Sequence, residues 1–239
     1  MMDRRWGEAE ASYHEKILDS LDRNPSAVVL DVGCDDGAWT DEVRSWIGVP
    51  AHHVHGLELV DERAELARRR GFHVHTGDIE ELWPFPDNYF DVVHANQVIE
   101  HVLQLDHFVT EIRRVLKPRG VAVVCTENLA SWHNVGALAL GYQPFSLTNV
   151  SNVRPIGNRF ALHAGEQPEY ESWQHVHVLT MSGLVDIFSA HGFTVTDSWG
   201  TGYYAVPRLL ASPLASIDPK HAHFIAVVAR WGQDRLRSM

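Results

Sequence analysis

Short apolar runs alternate with amphipathic stretches along most of the chain. The apolar runs have the length of buried β-strands, and Gly, Pro or Asn residues follow several of the stretches between them. Such alternation is typical of βαβ units that build a parallel sheet whose two faces are covered by helices. The predicted strands are 27–31, 54–58, 72–76, 90–95, 121–126, 193–198 and 223–229.

The stretches between the strands have helical periodicity and recognisable ends. Asp61 can cap one helix and Gly71 ends it, while Gly192 ends another. A Lys-Pro-Arg-Gly turn starting at Lys117 is expected before the fifth strand. The predicted helices are 6–22, 38–47, 61–70, 106–116, 182–191 and 203–214.

The regular pattern breaks after Thr126. Residues 127–175 are rich in Gly, Pro, Asn, Ser and aromatic residues, and this stretch is too long for a simple connection. We predict one domain, 1–239, in which 127–175 is an insertion over the site, partly helical near 131–140. The N-terminal segment 1–24 is expected to hold a helix that either closes over the site as a lid or packs on the sheet.

Composition narrows the function classes. A formal charge of −11 argues against nucleic-acid binding, which needs clustered Lys and Arg. No run approaches the ~20 apolar residues of a membrane span, and the charged N-terminus does not resemble a signal peptide. The two cysteines, Cys34 and Cys125, are expected to be reduced thiols in a cytoplasmic protein. The chain has 16 histidines, but their spacing predicts no metal site.

The turn after the first strand, VVLDVGCDDGAWT, suggests a cofactor site. A dinucleotide site brings a Gly-x-Gly-x-x-Gly backbone against a pyrophosphate, whereas this turn reads Asp31-x-Gly33-x-Asp35-x-Gly37. Its acidic residues would repel a pyrophosphate and suit a cationic cofactor. Asp35 can replace a glycine there because Asp tolerates the left-handed backbone conformation. Cys34 is expected to be a small buried residue of the turn.

Carboxylates follow the next two strands as well. Glu58 can accept hydrogen bonds from both hydroxyls of a ribose, and Asp78 can accept one from an adenine amine, with Ile79 packed on the ring. The end of the fourth strand, at Asn96 and Gln97, would line the same ligand. A structural alternative stays open for each carboxylate: a turn or cap for Asp31, a solvated strand end for Glu58, and a helix cap for Asp78.

Taken in order, these motifs and the LKPRG turn resemble the class I S-adenosylmethionine-dependent methyltransferases, in the small-molecule, type 11/23-like branch. The resemblance is strong over 27–126 and looser over 173–230. It implies an α/β, Rossmann-like, doubly wound, mostly parallel seven-stranded sheet with helices on both faces and an antiparallel strand near the C-terminus. Asp35 and Arg119 depart from the usual glycines of the family. The cofactor residues it implies are Asp31, Gly33, Cys34, Asp35, Gly37, Glu58, Leu59, Gly77, Asp78, Ile79, Asn96 and Gln97.

The acceptor is harder to predict. Because a hydroxyl acceptor needs a base or a metal, the candidate catalytic residues are histidines near the strand ends: His101, His133, His175 and His177. His175 and His177 alternate, so an extended segment would point only one of them inward. The candidate substrate-binding residues are Tyr13, Glu100, Glu127, Asn128 and Trp132.

We expect methyl transfer from S-adenosylmethionine to a small molecule, with a sugar or natural-product hydroxyl favoured. The alternatives are N- or C-methylation and a non-catalytic scaffold; the missing Gly-x-Gly-x-x-Gly argues against a nicotinamide-dependent oxidoreductase. The sequence leaves the need for a divalent metal open. The expected partners are a small-molecule substrate and, in a homodimer, a second copy of the chain, with neither nucleic acid nor membrane.

Overall fold

The computed structural model describes residues 12–151, 153–161, 174–203, 206 and 208–232 of the chain. Its sheet has seven strands in the order β3-β2-β1-β4-β5-β7-β6. Strand β7 runs antiparallel to both of its neighbours, and the remaining pairs are parallel. The predicted fold class is therefore confirmed. The strands are β1 Val29–Val32, β2 Val54–Glu58, β3 His73–Thr76, β4 Phe90–Asn96, β5 Leu116–Glu127, β6 Thr194–Thr201 and β7 Phe224–Arg230.

Helices cover both faces of this sheet. One buried cluster joins Ile17 and Ile47 to the sheet, and the other joins Phe108 and Phe188 to its opposite face. The first face thus carries α1 to α3, and the second carries α4 and α6. The helices are α1 at 12–19, α2 Ala38–Ile47, α3 Asp61–Arg69, α4 Leu105–Val115, α5 Trp132–Ala139, α6 Met181–Ala190 and α7 Arg208–Ile217.

The sheet order places the candidate site. The chain moves outward from β1 to β3 and then returns to β4 on the other side of β1. In such sheets a crevice opens beyond the carboxyl ends of the strands where the order reverses, here β1 and β4. Asp31 pairs with His94 and Val32 with Ala95, so the glycine turn and the end of β4 lie side by side.

The fifth strand begins earlier than expected. The predicted helix 106–116 is present as α4, one residue earlier at each end, but the predicted turn at 117–120 is wrong, since β5 spans Leu116–Glu127. Phe90 pairs with Leu116 but Val92 pairs with Val121, so the Lys-Pro-Arg-Gly segment forms an irregularity within the strand. Pro118 has no N–H to donate to a neighbouring strand, and Arg119 takes a left-handed φ of 71°. These two residues explain why the pairing is interrupted there.

Two other segments need comment. Helix α7 covers Arg208–Ile217 and so lies later than the predicted 203–214. Within 127–175 the structure has α5 and a 3-10 helix at Phe145–Leu147, while residues 152 and 162–173 lie outside the described residues. Residues 1–11, the first part of the proposed lid, also lie outside them. No helix in the described part of the chain is long and apolar enough to cross a membrane.

Candidate active site

The glycine turn between β1 and α2 leaves no room for side chains at its two glycines. Gly33 has φ 68° and donates its N–H to the Leu57 carbonyl at 2.7 Å. A Cβ on Gly33 would lie 2.6 Å from Cγ2 of Val98, and a Cβ on Gly37 would lie 3.0 Å from that of Ala67. The turn therefore presents its backbone at the end of β1.

Asp35 takes the left-handed conformation that the sequence predicts, with φ 49°. Its carboxylate forms an ion pair with Arg63, whose guanidinium also lies 3.6 Å from Asp36. The Asp36 carboxylate in addition accepts a hydrogen bond from the N–H of Ala38. The expectation that these two acidic side chains face a cationic ligand is therefore corrected. Arg63, in the first turn of α3, was not predicted as a partner of these carboxylates. Only its position at the start of that helix could have indicated it.

Two carboxyls remain beside the turn, one buried at Asp31 and one partly buried at Glu58. Asp31 is 2% exposed and accepts a 2.6 Å hydrogen bond from the Thr40 hydroxyl. Burial raises the pKa of Asp31 to about 7. Glu58 accepts from the N–H of Asp35 at 3.0 Å and from that of Val60 at 2.9 Å. Burial also raises the pKa of Glu58. Because each carboxylate oxygen can accept more than one hydrogen bond, Glu58 is oriented by the backbone and can still bind hydroxyls.

The rest of the predicted cofactor set borders this turn. The Gly77 N–H donates to the Glu58 carbonyl at 2.9 Å, which ties the segment after β3 to the end of β2. The Asp78 carboxylate accepts a hydrogen bond from the Glu80 N–H at 2.9 Å, so Asp78 caps the turn that follows it. Ile79 packs on the core, whereas the side chain of Leu59 is 48% exposed. The adenine contacts of this segment stay a prediction.

Cys34 is a packing residue, and its side chain is withdrawn as a cofactor contact. It is 4% exposed, and a Cβ added to Gly56 would lie 2.5 Å from its sulfur. Burial raises the pKa of the thiol above its usual range. Cys34 and Cys125 are both free and buried, as reduced thiols should be.

Tyr13 fastens α1 to the end of β4. Its hydroxyl donates to Oδ1 of Asn96 and accepts from Nε2 of Gln97 at 3.0 Å. Its ring stacks on Phe224 with a centroid distance of 4.4 Å, and the side chain is 2% exposed. Gln97 has φ 55° and donates its N–H to the Cys125 carbonyl. The expected substrate contact of Tyr13 is therefore replaced by an internal one that orients Asn96 and Gln97.

A second aromatic contact on this face was not predicted. His14 stacks on Trp39 at a centroid distance of 3.9 Å, and the Trp39 indole donates to Nε2 of His94 at 2.9 Å. Nδ1 of His94 lies 3.1 Å from the Val123 carbonyl, so it must carry the hydrogen. Burial lowers the pKa of His94 to about 4, which keeps the ring neutral. The sequence shows only a histidine within an apolar strand.

Glu100 is buried where β4 continues into the 3-10 helix Ile99–His101. It is 1% exposed, and its Oε2 accepts from the Thr126 hydroxyl at 2.9 Å. Its Oε1 is buried without a hydrogen-bond partner among the described residues. Burial raises the pKa of Glu100 to about 7, and His175 opposes that rise.

Two histidines meet beside this carboxylate. Nδ1 of His101 lies 2.9 Å from the Gln174 carbonyl, and Nδ1 of His175 lies 2.7 Å from the Ser146 carbonyl. The two rings make an edge contact at 4.9 Å, and burial lowers the pKa of His101 to about 4. One ligand atom from each of Glu100, His101 and His175 lies within 4.8 Å of the other two. We call these three residues the Glu100 cluster.

The other candidates lie around the cluster or apart from it. Glu127, at the end of β5, has its carboxylate 3.9 Å from Nδ1 of His175. His177 turns to the Leu103 carbonyl at 3.3 Å, so the structure separates it from His175. His133 stacks on His223 at 4.6 Å, and burial lowers the pKa of His133 to about 4.

Asn128 and Trp132 have internal partners. The Asn128 amide donates to the carbonyls of Lys220 and Ala222 and accepts from the N–H of Ala130. It is fully buried, so its predicted substrate contact is withdrawn in favour of a structural role. Trp132 is 52% exposed and stacks on His221 at 4.3 Å. Its role in substrate binding stays a prediction.

The comparisons with known proteins agree with this geometry. The model of the family described as "Methyltransferase domain" matches residues 5–198. A probable S-adenosylmethionine-dependent methyltransferase of Mycolicibacterium smegmatis is 36% identical over 205 residues, which cover 80% of this chain and 72% of that protein. The malonyl-[acyl-carrier protein] O-methyltransferase of Erwinia billingiae is 30% identical over 79% of this chain and 68% of its own length.

The fold has solved counterparts as well. A putative methyltransferase of Haloferax volcanii, solved in complex with the Trm112 methyltransferase activator, superposes with a TM-score of 0.64 over 97% of this chain and 95% of that one, at 16% identity. Two other curated relatives are longer proteins, of which this chain spans 35% and 31%. With its matching profile, close relatives and Rossmann-like sheet, the chain belongs to the class I S-adenosylmethionine-dependent methyltransferases.

Proposed function

We propose that this chain methylates an oxygen atom of a small molecule, with a sugar or natural-product hydroxyl as the acceptor class. The observation that carries the proposal is the Glu100 cluster, which lies directly after Asn96 and Gln97 at the carboxyl end of β4. An amine acceptor needs only to be neutral, whereas a hydroxyl must lose a proton in the reaction. A site with two partly buried imidazoles and a buried carboxyl fits the second requirement.

The residues around the glycine turn fit S-adenosylmethionine. Side chains would not fit at Gly33 or Gly37, so a ligand can approach the turn backbone closely. Asp31 and Glu58 bring two carboxyls to adjacent strand ends, which suits a ligand with an ammonium group and ribose hydroxyls. When bound, this cofactor supplies a methyl group on a cationic sulfur. We assign the ammonium group to Asp31, the ribose to Glu58 and the adenine amine to Asp78.

The protein's part in the reaction is to position the acceptor and remove its proton. Nδ1 of His101 and of His175 faces a carbonyl oxygen, so each ring carries a hydrogen there, and the neutral form of such a ring has its lone pair on Nε2. A neutral imidazole of this kind accepts a proton from a nearby hydroxyl. We assign the acceptor oxygen to the space between the Glu100 cluster and the Asn96–Gln97 strand end. The Erwinia relative is itself named as an O-methyltransferase, which is consistent with an oxygen acceptor.

A panel of sugars, phenols and amines tests this proposal, with release of S-adenosylhomocysteine as the readout and mass spectrometry of each product. We expect turnover with hydroxyl acceptors and a product methylated on oxygen. His175→Ala should lower kcat by about a hundredfold, the scale of general-base catalysis. His52→Ala, at an exposed histidine, is the matched control. Products methylated only on nitrogen or carbon would replace the oxygen assignment.

Two further expectations belong to the same proposal. We propose that the protein acts in the cytoplasm, since both cysteines are free and buried. A homodimer stays a prediction, and sedimentation of the purified protein measures it. Binding of S-adenosylhomocysteine without turnover of any acceptor in a broad panel would favour the non-catalytic alternative.

A further inference from the structure

A buried carboxylate oxygen without a partner points to a missing ligand. Oε1 of Glu100 has no hydrogen-bond partner among the described residues, and the residue is 1% exposed. An unsatisfied buried carboxylate oxygen costs free energy that a folded protein normally avoids. Thr126 satisfies only the other oxygen. The buried amide nitrogen of Gln174 also lacks a partner in the described part of the chain.

The two histidines of the cluster are held as metal-binding histidines usually are. Each has Nδ1 against a backbone carbonyl, that of Gln174 for His101 and that of Ser146 for His175. A carbonyl oxygen only accepts, so these contacts fix the tautomer and leave the lone pair on Nε2. A ligating histidine typically donates its other ring N–H in this way. These contacts therefore orient both rings and engage Nδ1 rather than Nε2.

The spacing of the ligand atoms suits one small cation. The three atoms lie within 4.8 Å of one another. The ligand atoms of a tetrahedral ion with bonds of about 2.1 Å are about 3.4 Å apart, so the set needs to contract by up to about 1.4 Å. Two imidazoles and one carboxylate favour a first-row transition ion over Mg²⁺ or Ca²⁺, which prefer oxygen ligands. Three protein ligands also leave a coordination position open.

We propose that the Glu100 cluster binds one divalent first-row transition-metal ion, through Glu100, His101 and His175. Glu127, close to the His175 ring, adds negative charge beside the ion without belonging to the ligand set. Residue spacing along the sequence does not indicate this metal site, because His175 is far from Glu100 and His101 along the chain.

The metal also explains how the acceptor loses its proton, and this part rests on the proposed function. An acceptor hydroxyl at the open position would have its pKa lowered by the ion. It gives its proton to solvent and keeps the electron pair that forms the new oxygen–carbon bond. The electron pair of the broken sulfur–carbon bond stays on the sulfur. With both Nε2 lone pairs on the ion, the histidines are ligands, and the ion takes over the proton removal that the proposed function assigns to an imidazole. The oxygen acceptor is unchanged.

Titration with Co²⁺ tests the site without cofactor or acceptor. The full chain is treated with chelator, freed of it by gel filtration, and titrated while the visible d–d absorption is followed. We expect one saturable equivalent in the wild type. Glu100→Gln and His175→Ala should each weaken binding by at least about tenfold. His175 lies in a segment without helix or strand, so its variant should keep the fold, which thermal unfolding checks.

The control is His52→Ala. His52 contacts the neighbouring His53 and is not part of the Glu100 cluster, so this variant should leave the Co²⁺ affinity unchanged. Absence of a saturable equivalent, or equal affinity in the wild type and both cluster variants, overturns the metal site. Methyl transfer that survives chelation and is not stimulated by added metal overturns the ion's part in removing the acceptor's proton while sparing the proposed function. Co²⁺ bound as expected, with no acceptor methylated on oxygen, upholds the metal site and rejects the proposed function.

Discussion

The Tyr13 hydroxyl donates to the Asn96 side chain although 83 positions separate the two residues. The same oxygen accepts from Gln97, so one tyrosine orients both polar side chains at the end of β4. Since these side chains line the proposed cofactor site, helix α1 is part of the site's construction. The described part of this helix, 12–19, packs on the sheet, and the lid proposed for 1–24 stays a prediction.

Tyr13→Phe removes this hydroxyl and keeps the ring on Phe224. We expect the free energy of unfolding to fall by about 1 kcal/mol, because a partly buried acceptor, Asn96, and a partly buried donor, Gln97, lose their partner. The affinity for S-adenosylhomocysteine should fall several-fold. Urea denaturation and calorimetry measure the two effects. Tyr89→Phe, before the start of β4, is the control, and identical behaviour of the two variants would count against the role of Tyr13.

Gly33→Ala and Gly141→Ala separate the backbone cost of replacing a glycine at positive φ from the steric cost of the added Cβ. Both residues have positive φ, 68° and 78°, but a Cβ at Gly141 meets nothing within 4 Å. Gly141→Ala should lower the free energy of unfolding by about 1 kcal/mol, the backbone cost alone. Gly33→Ala should lose at least about 1 kcal/mol more, because its Cβ overlaps Val98. Equal losses of unfolding free energy in the two variants, measured by thermal or urea unfolding, would mean that the turn can accommodate a Cβ at Gly33.

Asp35→Gly restores the usual glycine of the family in the turn. The side chain of Asp35 forms an ion pair with Arg63. Asp35 contributes to the site through its backbone N–H, which donates a hydrogen bond to the Glu58 carboxylate. We therefore expect the affinity for S-adenosylhomocysteine to stay within about twofold of the wild type, since a salt bridge at the surface contributes little. A large loss in calorimetry would show that the Asp35 carboxylate itself contacts the ligand.

Cofactor affinity should depend on pH through Asp31. Burial raises the pKa of this carboxyl to about 7, and only the ionised form attracts an ammonium group. Below pH 7 the proton must leave before the ligand binds, so the affinity should fall by up to about tenfold per pH unit. Above that pH the affinity should level off. Asp31→Asn should bind more weakly and lose this pH dependence; an unchanged profile in calorimetry would assign it to another group.

Much of the fold follows from local pattern. Apolar runs predict all seven strands because the sheet is buried on both faces, and the single antiparallel strand is placed correctly. The start of β5 is missed since a Pro-Arg-Gly segment normally marks a turn, whereas here Leu116 still pairs with Phe90. The start of β5 depends on its pairing with β4, and the local sequence of one strand does not show how it pairs with another.

The sequence offered each residue of the proposed site as a candidate, but it did not predict their arrangement. Glu100, His101 and His175 are each candidates from their positions near strand ends, yet their meeting depends on how the segment after 173 returns to the sheet. The pairing of Asp35 with Arg63 likewise removes Asp35 from the charge argument made from the turn, which now rests on Asp31. Contacts across tens of residues are set by tertiary packing, which local spacing does not reveal.

The measurement that tests the cofactor site most directly compares S-adenosylhomocysteine with an analogue that lacks both ribose hydroxyls. Calorimetry on the wild type, Glu58→Ala and the control Glu62→Ala gives the coupling between Glu58 and the ribose. We expect the wild type and the control to bind the analogue at least about tenfold more weakly, because hydrogen bonds to a carboxylate are lost. Glu58→Ala should bind both ligands equally and weakly. A Glu58→Ala variant that still discriminates between them as the wild type does would contradict the proposed site.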